Sequence, residues 1–203
     1  MKLVCISDTH SMHRRIQVIP DGDVLVHAGD SLGQGTLDNI EELNDWLGTL
    51  PHRYKIVIAG NHDWAFQETP ELAQQALTNA IHLEDSGIEI EGVRFWGSPW
   101  TPTFMDWAFM LDRGEPLQRK WQLIPDNVDV LVTYRLRCIS EKQIWDSSGE
   151  QNLMTIHEAS VGGGVEPLNY LCWEGVNLIQ GWAGSGKVAR NHLQIGWRLA
   201  HAC

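Results

Sequence analysis

Three short apolar runs mark the first third of the chain: Leu3-Val4-Cys5-Ile6, Val24-Leu25-Val26 and Ile56-Val57-Ile58-Ala59. Each is followed closely by turn residues, namely Asp8-Thr9-His10, Gly29-Asp30 and Gly60-Asn61-His62-Asp63. A run of this kind, closed by a turn, reads as a buried strand. Between the second and third runs, Ile40, Leu43, Trp46, Leu47 and Leu50 recur at helical spacing. They follow Asp38-Asn39-Ile40-Glu41, an N-cap residue with Glu three positions on. Thr69-Pro70-Glu71 opens a second helix, with Pro in the first turn and Leu72, Ala73, Ala76, Leu77 and Ala80 as its apolar face. Ile88 to Trp96 largely alternates around Glu91-Gly92, the pattern of a β-hairpin. A short helix over Glu115 to Ile124, a buried strand over Val128 to Val132 and a strand near Val176 to Ile179 complete the reading. Strands alternating with helices predict an α/β layered fold.

In open α/β sheets, ligands bind beyond the carboxyl ends of the strands. Three strands ending side by side would bring carboxylates, imidazoles and a carboxamide to one spot. Those groups suit Mg, Mn, Fe or Zn. Asp8 and His10, two residues apart, can share one ion. Asp30 could bridge two, and Asn61 offers a neutral oxygen to the second. Paired metals clamp the attacking and leaving oxygens of a phosphoryl group and turn a bridging water into hydroxide at neutral pH. His62 lies beside them as a candidate general acid for the leaving oxygen, with Asp63 holding its ring. Each motif alone is an ordinary polar turn; all three in order, each after an apolar run, outweigh that reading.

These motifs, together with Val93-Arg94-Phe95-Trp96-Gly97-Ser98-Pro99-Trp100-Thr101-Pro102, resemble the calcineurin-like metallophosphoesterases. The resemblance is nearest to the small metallophosphoesterase-domain-containing proteins, relatives of the class III cyclic-nucleotide phosphodiesterases. It runs from Met1 to about Thr133. It implies a four-layer α/β/β/α sandwich and a centre of two divalent ions. It also implies hydrolysis of phosphodiesters, cyclic nucleotides among them. It makes Asp8, His10, Asp30 and Asn61 metal ligands and His62 the catalytic histidine. Trp96, Trp100 and Trp107 are read first as packing near the site; a stacking face for a nucleotide base is the sharper alternative.

After residue 130 the family pattern calls for Thr-His-Gly-Pro-Pro and then Gly-His-x-His. This chain reads Thr133-Tyr134-Arg135-Leu136-Arg137, with Tyr134 in place of the histidine, and contains no Gly-His-x-His. Thr155-Ile156-His157-Glu158 is the nearest trace. The second metal would keep only Asp30 and Asn61, too few protein ligands to hold it well. The alternative function is therefore a degenerate, non-catalytic member that binds metal or nucleotide weakly. Charge balance shifts at the same place. Residues 1–134 carry 9 Lys and Arg against 20 Asp and Glu, whereas residues 135–203 carry 6 of each. The predicted organisation is a core over 1–133 and a divergent tail over 134–203, read in a shifted frame or from an alternative exon, leaving one sheet incomplete. Translating the coding DNA after codon 133 in the other two frames tests this; the idea is wrong if neither yields His-Gly-Pro-Pro or Gly-His-x-His.

The overall formal charge of -11 disfavours long nucleic acid and anionic membranes as partners, but allows a small phosphoester or nucleotide held on metal. No apolar stretch approaches the roughly 18 residues of a membrane span. The opening residues lack a signal-peptide pattern, which points to the cytoplasm. Cys5, Cys138, Cys172 and Cys203 are widely spaced, as reduced thiols rather than a zinc site. Gly181 to Lys187 matches the Gly-x4-Gly-Lys of a phosphate loop, but Val188 follows where Ser or Thr would hold Mg. A nucleotide-binding module there is the third reading.

Overall fold

The computed structural model describes residues 1–33 and 35–134, and beyond them the backbone of strands at 156–163, 172–173, 176–177 and 192–196. The first sheet is built around four parallel strands in chain order: β1 (Lys2–Ile6), β2 (Val24–Ala28), β3 (Tyr54–Ile58) and β4 (Ile81–His82). Their side chains alternate between two apolar clusters. Val4, Ile6, Leu25 and Val57 face Ile40, Leu43, Trp46 and Leu47 of α1 (Leu37–Gly48), and Phe66 of α2 (Trp64–Glu68). Leu3, Cys5, Val24, Val26, Ile56 and Ile58 face the other way, onto Phe95, Val130 and Val132 of a second sheet. Burial on both faces is why these strands read as unbroken apolar runs. Each fully buried aliphatic side chain contributes about 1.5–3 kcal/mol to the layers' cohesion.

The second sheet contains the predicted hairpin, β5 (Ser86–Ile90) and β6 (Val93–Ser98). The turn between them puts Glu91 at φ 51° and Gly92 at φ 80°, the two left-handed residues of the hairpin turn whose twist matches the strands. A parallel pair, β7 (Thr101–Pro102) and β8 (Met110–Leu111), follows. After α4 (Glu115–Trp121), β9 (Val130–Thr133) lies parallel to β6. Asp85, just before β5, ties these pieces together: its carboxylate accepts from Ser98 Oγ (2.8 Å), Trp100 Nε1 (2.8 Å) and Lys120 Nζ (2.7 Å).

Some expectations change at the residue level. The N-cap of α1 is Thr36, whose hydroxyl accepts from the Asn39 backbone N–H; Asp38 lies inside the first turn instead, where its charge suits the helix dipole. The helix opened by Thr69-Pro70 is α3 (Pro70–Ala76), with Pro in its first turn as the spacing implies. The five-residue α2 was hidden in the sequence by the polar motif that starts it. The tail contributes β10 (Ile156–Gly163), β11 (Cys172–Trp173), β12 (Val176–Asn177) and β13 (His192–Gly196). β10 pairs antiparallel with β1 and β12 antiparallel with β9, so both sheets are extended rather than one left short. His157 lies on β10 opposite Cys5, while the Gly181 to Lys187 segment falls outside the described residues. Among the described residues, no helix is long and apolar enough to cross a membrane.

Candidate metal centre

Because β1, β2 and β3 are parallel neighbours, their carboxyl ends open at one edge. The loops beyond β1 and β2 are bound to each other along their backbones. Asp8 N donates to Gly29 O (3.0 Å), His10 N to Asp30 O (3.0 Å) and Ser11 N to Ser31 O (2.9 Å). Holding this arrangement places Asp8, His10, Ser11 and Asp30 at φ of 54°, 43°, 59° and 52°. Left-handed backbone outside glycine costs on the order of 1–3 kcal/mol a residue, and persists where surrounding bonds over-determine it. The third loop arrives at Gly60, where an added Cβ would collide with the backbone nitrogen and Oδ1 of Asp30. Only glycine lets that backbone come so close.

The resulting group is His10, Asp30 and His62, whose ligand-capable atoms all lie within 4.8 Å of one another. His10 Nε2 is 3.7 Å and His62 Nε2 4.0 Å from Asp30 Oδ2. The His62 backbone N–H donates to Asp30 Oδ1 at 3.0 Å. The two imidazoles meet edge to face at 4.6 Å. Asp30 is buried at the floor. Burial, and to a lesser extent the neighbouring His62, holds the His10 pKa below its ordinary value against the opposing pull of Asp30. His10 is thereby kept neutral, with the lone pair a metal ligand must offer. Asp8 stands outside this mutual group, and His62, read from the sequence as an acid alone, stands within it.

Asp63 has a different task from the one its place in the sequence suggests. Its buried carboxyl accepts from Gly60 N (2.7 Å), Ser31 N (3.2 Å) and Leu32 N (2.8 Å). It braces the second loop against the third, and these bonds are to backbone rather than to the His62 ring. Burial, reinforced by Asp30, pushes its pKa up to about 8 despite the three donors. The His62 ring instead lies against Trp107 at 4.3 Å. Trp100 is held by Asp85 and packs edge-on to Phe109, so it is structural, as the packing reading has it.

Beneath the loops, Thr9 Oγ1 bonds His27 Nε2 at 2.8 Å, and burial drives the His27 pKa down to about 3. His27 interrupts the β2 apolar run, and that interruption is the signal by which the sequence could have revealed it. Asn61 joins the centre through a residue of the other sheet. Tyr134, one residue past β9, directs its hydroxyl between Asp30 Oδ2 (2.7 Å) and Asn61 Oδ1 (2.8 Å). One carboxylate and two imidazoles so close together suit a divalent ion.

The calcineurin-like phosphoesterase family model matches residues 1–186. The chain belongs to the calcineurin-like phosphoesterase family. Members use divalent metals in hydrolysis, in keeping with the His10, Asp30 and His62 group. Metallophosphoesterase domain-containing protein 1 of Homo sapiens is 44% identical over 156 residues, covering 66% of this chain and 48% of its own. A UPF0046 protein of Caenorhabditis elegans is 36% identical over 150 residues, covering 66% and 53%. The chain thus spans about half the length of the curated relatives it matches. A probable rhamnogalacturonate lyase C of Emericella nidulans is 31% identical over 196 residues, 86% of this chain but 18% of its own. The family match extends past Thr133, where the motif resemblance stops.

Proposed function

We propose that this chain is a metal-dependent phosphodiesterase for small phosphodiesters, cyclic nucleotides included. The convergence of His10, Asp30 and His62 within 4.8 Å carries this reading. A divalent ion bound there would polarise a phosphoryl oxygen and make a coordinated water more acidic. Asp30 supplies the buried negative charge that draws the cation. His10, kept neutral, supplies a ring nitrogen. His62 is the more exposed imidazole, its side chain 29% accessible against 17% for His10, so it faces an arriving ester. In this reading His10 and Asp30 hold the ion, and His62, beside it rather than bound to it, gives a proton to the departing oxygen. The flat face of Trp107 beside it offers a base-sized stacking surface.

Purified protein with Mn²⁺ and bis-p-nitrophenyl phosphate tests the proposal. Asp30→Ala should reduce hydrolysis to background, and equal rates in the two proteins would sink it. Tyr134 favours a second reading, a degenerate member that keeps the fold and binds metal or nucleotide weakly, because a phenol lies where the family pattern has a histidine. Metal uptake without Asp30-dependent turnover would decide for that reading.

A further inference from the structure

The phenol of Tyr134 carries more than the loss of a histidine. A cation shared by Asp30 and Asn61 would sit about 2.0–2.2 Å from each oxygen. The Tyr134 hydroxyl already lies in that wedge, 2.7 Å from Asp30 Oδ2 and 2.8 Å from Asn61 Oδ1. Its single proton serves one of these oxygens at a time, and the hydroxyl oxygen takes up the position from which an ion would meet both.

The ring is also fixed. Tyr134 is 3% exposed within the apolar cluster between the sheets, and its Cδ2 occupies the space a Cβ on Gly29 would need. Gly29, at φ 103°, leaves that space open. Moving the phenol aside would mean unpacking the inter-sheet core.

We infer that Tyr134 stands in for the second ion, so that the centre takes one divalent cation rather than the family's pair. This rests on the centre around His10 and Asp30 binding metal, and the test reads metal rather than turnover, so it can succeed or fail apart from catalysis. The full chain and Tyr134→His are each loaded with Mn²⁺, desalted and assayed for metal per chain. The histidine variant should hold about one ion more than the wild type. A wild type holding two ions, or a variant holding no more than the wild type, overturns the inference. Should the variant fail to fold, a Mn²⁺ titration of the wild type decides, with free Mn²⁺ followed by electron paramagnetic resonance and Tyr134 by ultraviolet absorption. Saturation at one equivalent with the phenol spectrum unchanged supports the stand-in. Tyrosinate absorption growing in with a second equivalent makes Tyr134 a ligand and overturns it.

Discussion

Two sheets meet at this site and supply it differently. The first delivers Asp8, His10, Asp30, Asn61 and His62 from three adjoining strand ends, and binds their loops together through backbone hydrogen bonds and the Asp63 carboxyl. The second delivers Tyr134 from the end of β9, held by the apolar packing of its ring. One half is specified by polar geometry within 63 residues of chain; the other depends on a single side chain arriving from a distant strand. The contrast shows that a shared fold places a strand end at the crevice, while the chemistry there depends on the residue that ends it.

The strongest way to break the first half is to remove its brace. Asp63→Ala would leave three backbone N–H groups without their acceptor, at about 1–3 kcal/mol for each one left buried and unpaired. Urea unfolding should therefore show a loss of about 3 kcal/mol or more, with the second sheet's packing untouched. Asp63→Asn keeps one acceptor oxygen but turns its amide NH2 toward a backbone N–H that the other carboxyl oxygen accepts, so it should recover only part of that loss. An asparagine as costly as alanine would show that the loops require both oxygens.

A smaller effect is expected from Gly60→Ala. Its added methyl meets Asp30, so overpacking should cost about 1–3 kcal/mol and weaken Mn²⁺ retention along with stability. Lost stability with metal binding intact would mean that Asp30 can yield without leaving the site.

The mildest lever is pH. Burial lowers His27 to about 3 and His82 to about 4, both below the ordinary 6.5. The unfolded chain therefore takes up these protons first. Their stability contribution is intact above pH 6.5 and is lost as pH falls toward 4, with a slope of up to about 1.4 kcal/mol per pH unit for each. Asp63 opposes this, because its raised pKa makes the folded state the stronger proton binder between 3.8 and about 8. Metal-free protein should still lose stability on acidification from pH 6.5, since His27, His82 and His13, which burial likewise lowers to about 4, outweigh one carboxyl. Replacing His27 with Gln should flatten the urea-midpoint profile; an unchanged slope would remove His27 from the account.

The three parallel strands were legible because burial on both faces writes itself as an uninterrupted apolar run. The hairpin was legible because Glu91-Gly92 is a turn that few other conformations want. Both signals are local. The cap of α1 was less so, since Thr36 and Asp38 both offer an oxygen and only the path of the chain into the helix chooses Thr36. The partners of Asp63 could not be read at all: two of its three donors, Ser31 and Leu32, lie about thirty residues away. Tyr134 could be placed after a strand from the sequence. That its hydroxyl would lie between Asp30 and Asn61 follows from the register of β9 beside β6 and from the room above Gly29.

The left-handed backbone at Asp8, His10 and Asp30 has a consequence for how such a motif ages. Aspartate and histidine are among the side chains that tolerate this conformation best. Selection for a foldable loop therefore favours the same letters as selection for a metal ligand. A lineage that gave up turnover would feel continued pressure to keep the Asp-x-His and Gly-Asp spelling, as a matter of chain conformation alone. The motif can outlive its reaction, much as a keystone stays in an arch after the road beneath has closed.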